Sequence, residues 1–167
     1  YLLGIVLFSF SVLTFAATPQ QPASILYTQS ARIATINTVN GKTMLTLEKI
    51  FGNTVWFTDR PDRAAGRLDI KQYLKSWEPG DDSFTKVHPN ALFMYSLKEE
   101  VHKNICHDLV VELSNPVYNK QKDSLTYQID PVGKVESQLS DGTYYNVMLF
   151  IDSTPWCPLG NGTCVSV

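Results

Sequence analysis

The dipeptide Asn40-Gly41 stands between two stretches in which apolar and polar residues alternate, and it constrains the fold more than any other feature. Asn-Gly is typical of a two-residue type I′ turn, because both turn residues adopt positive φ. The turn predicts a β-hairpin of residues 32–39 and 42–50, in which Ile36 faces Leu45. Four residues then share one face, which we assign to the core: Ala34, Ile36, Leu45 and Leu47.

Further apolar stretches predict more strands. Residues 108–113 and 124–129 alternate cleanly on either side of a polar tip, so we expect a second hairpin. Pro116 should lie at an edge or a bulge, because it cannot donate to the ladder. Residues 91–97 and 143–151 are apolar on both faces, which is typical of central strands that are buried on both sides.

One short helix is predicted at about residues 69–77. Asp69 is a good N-cap, and Gln72 completes a capping box. Four apolar residues follow at helical spacing: Ile70, Tyr73, Leu74 and Trp77. With a further short strand at residues 55–58, the sequence predicts a mainly β protein. We expect a single-domain antiparallel β-sandwich or partly open barrel, with the helix plugging one end or covering an edge.

The amino-terminal stretch is apolar, and the first charged residue of the chain is Arg32. Residues 1–17 are at the lower length limit for a membrane-spanning helix, about 17 residues, and no basic cluster follows them. Small residues suit cleavage after Ala16. The expected organisation is a signal peptide (1–16), a polar segment leading into the first strand (17–31) and one β-rich domain (32–167). An uncleaved membrane anchor is the alternative.

The cysteines agree with export. Cys157 and Cys164 flank a segment rich in turn-forming residues, so a disulfide can join them in an oxidising compartment. Cys106 is left over, and we expect a buried free thiol there, as is usual for a lone cysteine in an apolar stretch. The sequence therefore predicts a secreted or periplasmic protein that meets the membrane only during export.

Charge and motifs exclude several classes of function. The 14 basic and 16 acidic side chains nearly balance, giving a formal net charge of −2. Nucleic-acid-binding domains normally carry a basic excess, so we expect no nucleic-acid partner. The sequence contains no zinc-binding, dinucleotide-binding or phosphate-loop motif, so we expect no cofactor and no metal.

A group of arginines lies between the strand at residues 55–58 and the helix: Arg60, Arg63 and Arg67. Grouped guanidinium groups can clamp a carboxylate, phosphate or sulfate by paired hydrogen bonds. Three further residues complete this candidate ligand site: Trp56, Trp77 and His88. The alternative is structural, because Asp59 and Asp62 can pair with the arginines and fix the loop.

Three segments resemble those of an uncharacterised family of exported prokaryotic proteins: residues 55–61, 89–91 and 110–118. The likeness spans roughly residues 43–131. It implies export and a single domain. Because that family has no established activity, the resemblance assigns no catalytic residues to this chain.

Three functions are compatible with these features. We expect a non-enzymatic binding or interaction domain of the cell envelope or extracellular space, whose partner is a small anionic ligand or a protein. One alternative is a small exported hydrolase whose catalytic residues the sequence does not identify. The other is a structural envelope or adhesion module that uses exposed sheet edges.

Overall fold

A computed structural model describes residues 25–50, 53–58, 63–80, 83–133 and 139–153. The strands of these ranges are β1 (Ile25–Val39), β2 (Lys42–Glu48), β3 (Asn53–Thr58), β4 (Ala65–Asp69), β5 (Asn90–Ser96), β6 (His107–Asn119), β7 (Ser124–Pro131) and β8 (Gly142–Ser153). Helix α1 (Ile70–Leu74) continues as a 3₁₀-helix (Lys75–Trp77), and a second 3₁₀-helix spans Lys98–Glu100. None of the helices in these ranges is long and apolar enough to cross a membrane.

The described strands form one antiparallel sheet in the order β2–β7–β6–β5–β8–β1–β3–β4. The second half of β1 also pairs with β2, so six strands close into a ring, while the first half of β1 carries β3 and then β4. Successive cross-strand partners lead from Thr38 around the ring and back to β1 near Ile25, not to Thr38 itself. The strands are therefore steeply inclined to the barrel axis. The predicted mainly β fold is confirmed, in its barrel form.

The hairpin around Asn40-Gly41 is confirmed. Asn40 has φ 52° and Gly41 has φ 75°, as a type I′ turn requires. Ile36 pairs with Leu45 in the predicted register. The four predicted core residues are fully buried: Ala34, Ile36, Leu45 and Leu47.

The predicted start of the first strand at Arg32 was wrong, because β1 begins at Ile25. Residues 25–31 were predicted to belong to a polar segment. Their alternate side chains are buried, but the buried positions change from odd to even numbers where Ala31 gives way to Ala34. This change lies beside Asn146 of β8, which has φ 51°. The alternation of buried and exposed residues is therefore interrupted within β1, and the sequence alone does not show where.

The second predicted hairpin, β6–β7, is also confirmed. Its inner residues on β7 are fully buried: Leu125, Tyr127 and Ile129. The register shifts between Ser114 and Val117, a bulge that contains Pro116 and in which Asn115 has φ 49°. A bulge leaves a residue out of the ladder and so accommodates the missing proline amide.

The capping box of α1 is present as predicted. The Gln72 amide donates to Asp69 Oδ1 at 2.9 Å, and the Asp69 amide donates to Gln72 Oε1 at 3.0 Å. Tyr73 and Trp77 point into the barrel, where Tyr73 meets Tyr27 edge to face with ring centroids 5.5 Å apart. The helix therefore plugs one end of the barrel.

A chain of buried polar side chains ties the helix to three strands. The Tyr127 hydroxyl lies 2.9 Å from Gln29 Oε1 and 3.1 Å from the Tyr73 hydroxyl. Gln29 Nε2 donates to Thr54 Oγ1 at 3.0 Å. Burial raises the pKa of Tyr73 to about 12 and raises the pKa of Tyr127 well above its usual value. Both tyrosines therefore stay neutral and hydrogen-bonded at physiological pH.

The segment between β3 and α1 is not wholly the loop that the sequence predicts, because residues 65–69 form β4 and pair with β3. Gly66 faces Trp56 across the two strands. A Cβ atom at Gly66 would lie 2.7 Å from Trp56 Nε1, closer than atoms tolerate. The indole therefore covers the glycine backbone, and strand β4 needs a glycine where a regular strand would carry a side chain.

The predicted burial of Cys106 was wrong, because its side chain is exposed. Cys106 lies just before β6 begins, beside Ile105, which is also exposed. The segment that suggested burial is therefore an exposed loop before the strand rather than part of it. The expected signal peptide and the expected Cys157–Cys164 disulfide lie outside the described residues.

Candidate functional site

The predicted arginine group is divided between strand and loop. Arg67 is exposed on β4, and Arg63 is exposed just before it, with φ 46°. Arg60 lies outside the described residues, as do Asp59 and Asp62. Arg63 and Arg67 therefore stand near the free edge of the sheet, which β4 forms.

The other residues predicted for the same site lie elsewhere. Trp56 is half-buried on β3, and Trp77 is buried in the core, where its ring centroid lies 5.2 Å from that of Phe84. His88 precedes β5, and its Nδ1 lies 3.1 Å from Glu112 Oε1 of β6. Four strands separate β4 from β6 in the sheet. The structure therefore does not bring His88 or Trp77 together with the arginines.

A second histidine–carboxylate pair lies where the chain enters β6. His107 Nε2 is 2.8 Å from Glu100 Oε2, and the His107 ring stacks on Tyr95. The pKa of Glu100 is lowered, chiefly because the Leu97 amide donates to its carboxylate. The Cys106 thiol donates to the His107 carbonyl at 3.6 Å. These contacts join the second 3₁₀-helix to β6.

A polar groove of about 580 Å³ lies on the outer face of β1, β2, β6 and β7. Its described lining consists of Thr35, Thr46, Glu48, Lys49, Val117, Asn119, Lys122, Ser124 and Thr126. The hydroxyls of Thr46 and Thr126 lie 2.9 Å apart, so they bond to each other across the strands. Of the residues predicted for the ligand site, none that the structure describes lines this groove.

A different part of the barrel's outer face carries an outer apolar band. We give this name to nine outward-facing residues on and beside β3, β1, β8, β5 and β6: Leu26, Val55, Phe57, Leu92, Met94, Val110, Val132, Met148 and Phe150. Phe57 is 39% exposed, Met148 is 38% exposed and Val110 is 41% exposed. Large apolar side chains are thus open to water in a single patch, which is typical of an interaction surface.

The band is continuous along its central row, whose members are cross-strand partners. One row runs through five adjacent strands: Val55, Thr28, Phe150, Leu92 and Val110. On one side of this row Phe57 faces Leu26, whose partner on β8 is the exposed Asp152. On the other side Met148 faces Met94, and its partner on β1 is Ser30, so each flanking row is apolar only in part. Strands lie about 4.8 Å apart, so these five strands give the band a width of roughly 19 Å.

Charged residues stand at both ends of the band. Arg67 of β4 is the cross-strand partner of Val55. At the far end, Asp108 of β6 is the partner of Met94. Glu112 follows on the same face of β6 and is held by His88. Asp69 lies two residues from Arg67 on the same face of β4, so the β4 end carries both signs of charge, while the β6 end is acidic.

Two apolar stretches of the sequence contribute to this surface, although the sequence predicted that both would be buried. Residues 91–97 and 143–151 predicted central strands that are buried on both sides. They are central, as β5 and β8, and their inner faces are buried. Burial of the outer face was wrong, since Met148 is exposed and Phe150 is half-buried. The apolar outer positions lie on a barrel wall, which the described residues leave uncovered.

Among the described residues, no three histidine, cysteine or acidic side chains are close enough together to hold a metal ion. The chain has no significant match among models of protein families, among curated proteins or among solved structures. Its function must therefore be inferred from its own residues, of which the outer apolar band is the most distinctive group.

Proposed function

We propose that this chain is a non-enzymatic binding domain of the cell envelope or extracellular space, and that the outer apolar band is its binding surface. One observation carries the proposal: β5 and β8 carry large apolar side chains on both faces, yet Met148 on the outer face of β8 is 38% exposed. Exposed apolar surface costs free energy in water, about 25 cal/mol for each Å². A partner that covers the band removes this cost.

In this proposal Arg63 and Arg67 lie at the rim of the binding surface and orient the partner. Arg63 and Arg67 are exposed at or beside its β4 end. Charged residues at the rim of an interface contribute more to orientation and association rate than to affinity. Arg63 and Arg67 therefore select an acidic group on the partner, which agrees with the anionic ligand expected from the sequence.

The adhesion alternative, in which sheet edges bind the partner, has weaker support. The free edge is β4, which has only five residues and carries Arg67. Short edge strands with charged side chains are a common means of preventing edge-to-edge pairing. The hydrolase alternative stays a prediction without assigned residues.

The proposal is tested by a charge placed in the band. We expect Met148→Lys to dissociate the protein from the assembly that it forms in the envelope or extracellular fraction of its cells. Size-exclusion chromatography of that fraction measures the assembly. Wild-type protein should elute above the 18.8 kDa of the chain, and the variant should elute as the free chain.

The matched control is Met44→Lys, because Met44 faces outward on β2 and lies outside the band. This control should elute with the wild type. Elution of the wild type as a free chain, or equal behaviour of the two variants, would contradict the proposed function.

A further inference from the structure

We propose that the chain binds an acidic oligosaccharide, a linear chain of sugars that carry carboxylate or sulfate groups, in an extended groove on the barrel wall. This groove is distinct from the outer apolar band, so the inference is independent of the proposed function. It consists of the polar groove of about 580 Å³ and two cavities of about 340 and 380 Å³. The first two share Glu48 and Lys49. The second and third share Arg32 and Ile33, so the three are continuous.

One cross-strand row forms the floor of the extended groove. Its five residues are partners on five adjacent strands: Tyr145 of β8, Ile33 of β1, Glu48 of β2, Ser124 of β7 and Asn119 of β6. All five line the three cavities. Strands lie about 4.8 Å apart, so the row is roughly 19 Å long. The groove therefore suits a linear ligand of several units rather than a single small ion.

Threonine hydroxyl groups line one side of the floor. Thr35, Thr46 and Thr126 are cross-strand partners on β1, β2 and β7, two residues along each strand from the floor row. Each hydroxyl can donate one hydrogen bond and accept others. The 2.9 Å bond between Thr46 and Thr126 uses only part of this capacity. The threonines therefore offer hydrogen bonds to a ligand that is itself rich in hydroxyl groups, as a sugar is.

Basic side chains stand on the other side of the floor. Arg32, Lys49 and Lys122 lie one or two residues beyond the floor row, in the direction away from the threonines. Lys98 of the second 3₁₀-helix adds a fourth positive charge at the β8 end. All four are exposed, and none of them forms an ion pair with a residue that the structure describes. Four positive charges thus face one carboxylate, Glu48, in a chain whose net charge is −2.

The remaining lining favours a sugar chain over a nucleic acid. Single-stranded nucleic acids bind by stacking successive bases on aromatic side chains. Among the described lining residues of the groove, Tyr145 alone has an aromatic ring. The Glu48 carboxylate can accept hydrogen bonds from ligand hydroxyl groups, whereas it repels phosphodiesters, which have no proton to donate. A ligand with both hydroxyl and anionic groups satisfies the threonines, Glu48 and the basic side chains together.

Fluorescence anisotropy of the purified protein, in the form that its cells produce, tests the proposal with two labelled acidic sugars. One is an oligogalacturonate, which carries carboxylates, and the other is a sulfated dextran oligomer. We expect saturable binding of at least one of them, and the tighter of the two identifies the anionic group. A neutral maltose oligomer should bind about tenfold more weakly, because it leaves the basic side chains without charged partners.

Variants locate the binding in the groove. Lys49→Gln and Lys122→Gln should each weaken binding about fivefold, because each removes one ion pair with the ligand. Thr46→Val replaces the hydroxyl by a methyl group and should weaken binding about threefold. Lys42→Gln is the matched control, since Lys42 is exposed on β2 outside the groove, and it should bind as the wild type does. Thermal melting checks that all four variants are folded.

Several results would overturn the proposal. A protein that binds neither acidic sugar has no such site. Equal weakening by Lys42→Gln would mean attraction by overall charge, and unchanged binding in the Lys49 and Lys122 variants would place the ligand elsewhere. Tighter binding of a thymidine oligonucleotide than of both sugars would identify the groove as a nucleic-acid site instead.

Discussion

Tyr127 shows how a single buried hydroxyl holds several parts of the fold together. Its oxygen contacts Gln29 of β1 and Tyr73 of α1, and Gln29 in turn donates to Thr54 of β3. A buried polar group that loses its partner costs about 1–3 kcal/mol, because no water replaces the lost bond. The side chain therefore fixes the helix in the barrel end as well as filling the core.

We expect Tyr127→Phe to lower the free energy of unfolding by about 1–3 kcal/mol, because the buried Gln29 oxygen loses its donor. Denaturant unfolding measures the change. Tyr118→Phe is the matched control. It removes a 2.9 Å bond to Asp123 at a half-buried position, so its cost should stay below about 1 kcal/mol. Equal losses in the two variants would contradict the role assigned to Tyr127.

At the scale of elements, short sequence motifs correctly predicted the features that depend on contacts between neighbouring residues. The Asn40-Gly41 turn predicted a hairpin and its register, and Asp69 with Gln72 predicted the start of α1. Both signals work because the residues that carry them interact within a few positions of each other. Features that depend on distant partners were missed: the first half of β1 pairs with β8, and β4 is ordered by β3.

The β3–β4 hairpin depends on close contact between Trp56 and Gly66, and this gives a prediction for the element. Gly66→Ala should lower the free energy of unfolding by about 1–3 kcal/mol, because the added methyl group displaces the indole. Tryptophan fluorescence followed through denaturant unfolding reports both the displacement and the stability.

Gly80→Ala is the control for this substitution, since a Cβ atom at Gly80 meets nothing within 4 Å. Its effect should stay within about 0.5 kcal/mol. A Gly66→Ala variant as stable as wild type would mean that the indole does not need the glycine.

For the whole molecule, the candidate site could be predicted only in part from the sequence. Arg63 and Arg67 were identified, and they stand at one end of the outer apolar band. His88 was grouped with them on sequence proximity, although it binds Glu112 of β6. The band itself joins five strands whose order the sequence does not reveal. The strand order, which places β5 beside β8, makes their apolar outer residues a single surface.

The most direct test of the binding surface is methionine oxidation, because the chain has only three methionines. Met94 and Met148 lie in the band, while Met44 faces outward on β2. Peroxide oxidation, quantified by peptide mass spectrometry, compares the dilute purified protein with the protein in its cellular fraction. We expect Met148 oxidation to slow at least fivefold in the cellular fraction, with Met44 unchanged. Equal rates for Met148 in the two settings would contradict the account.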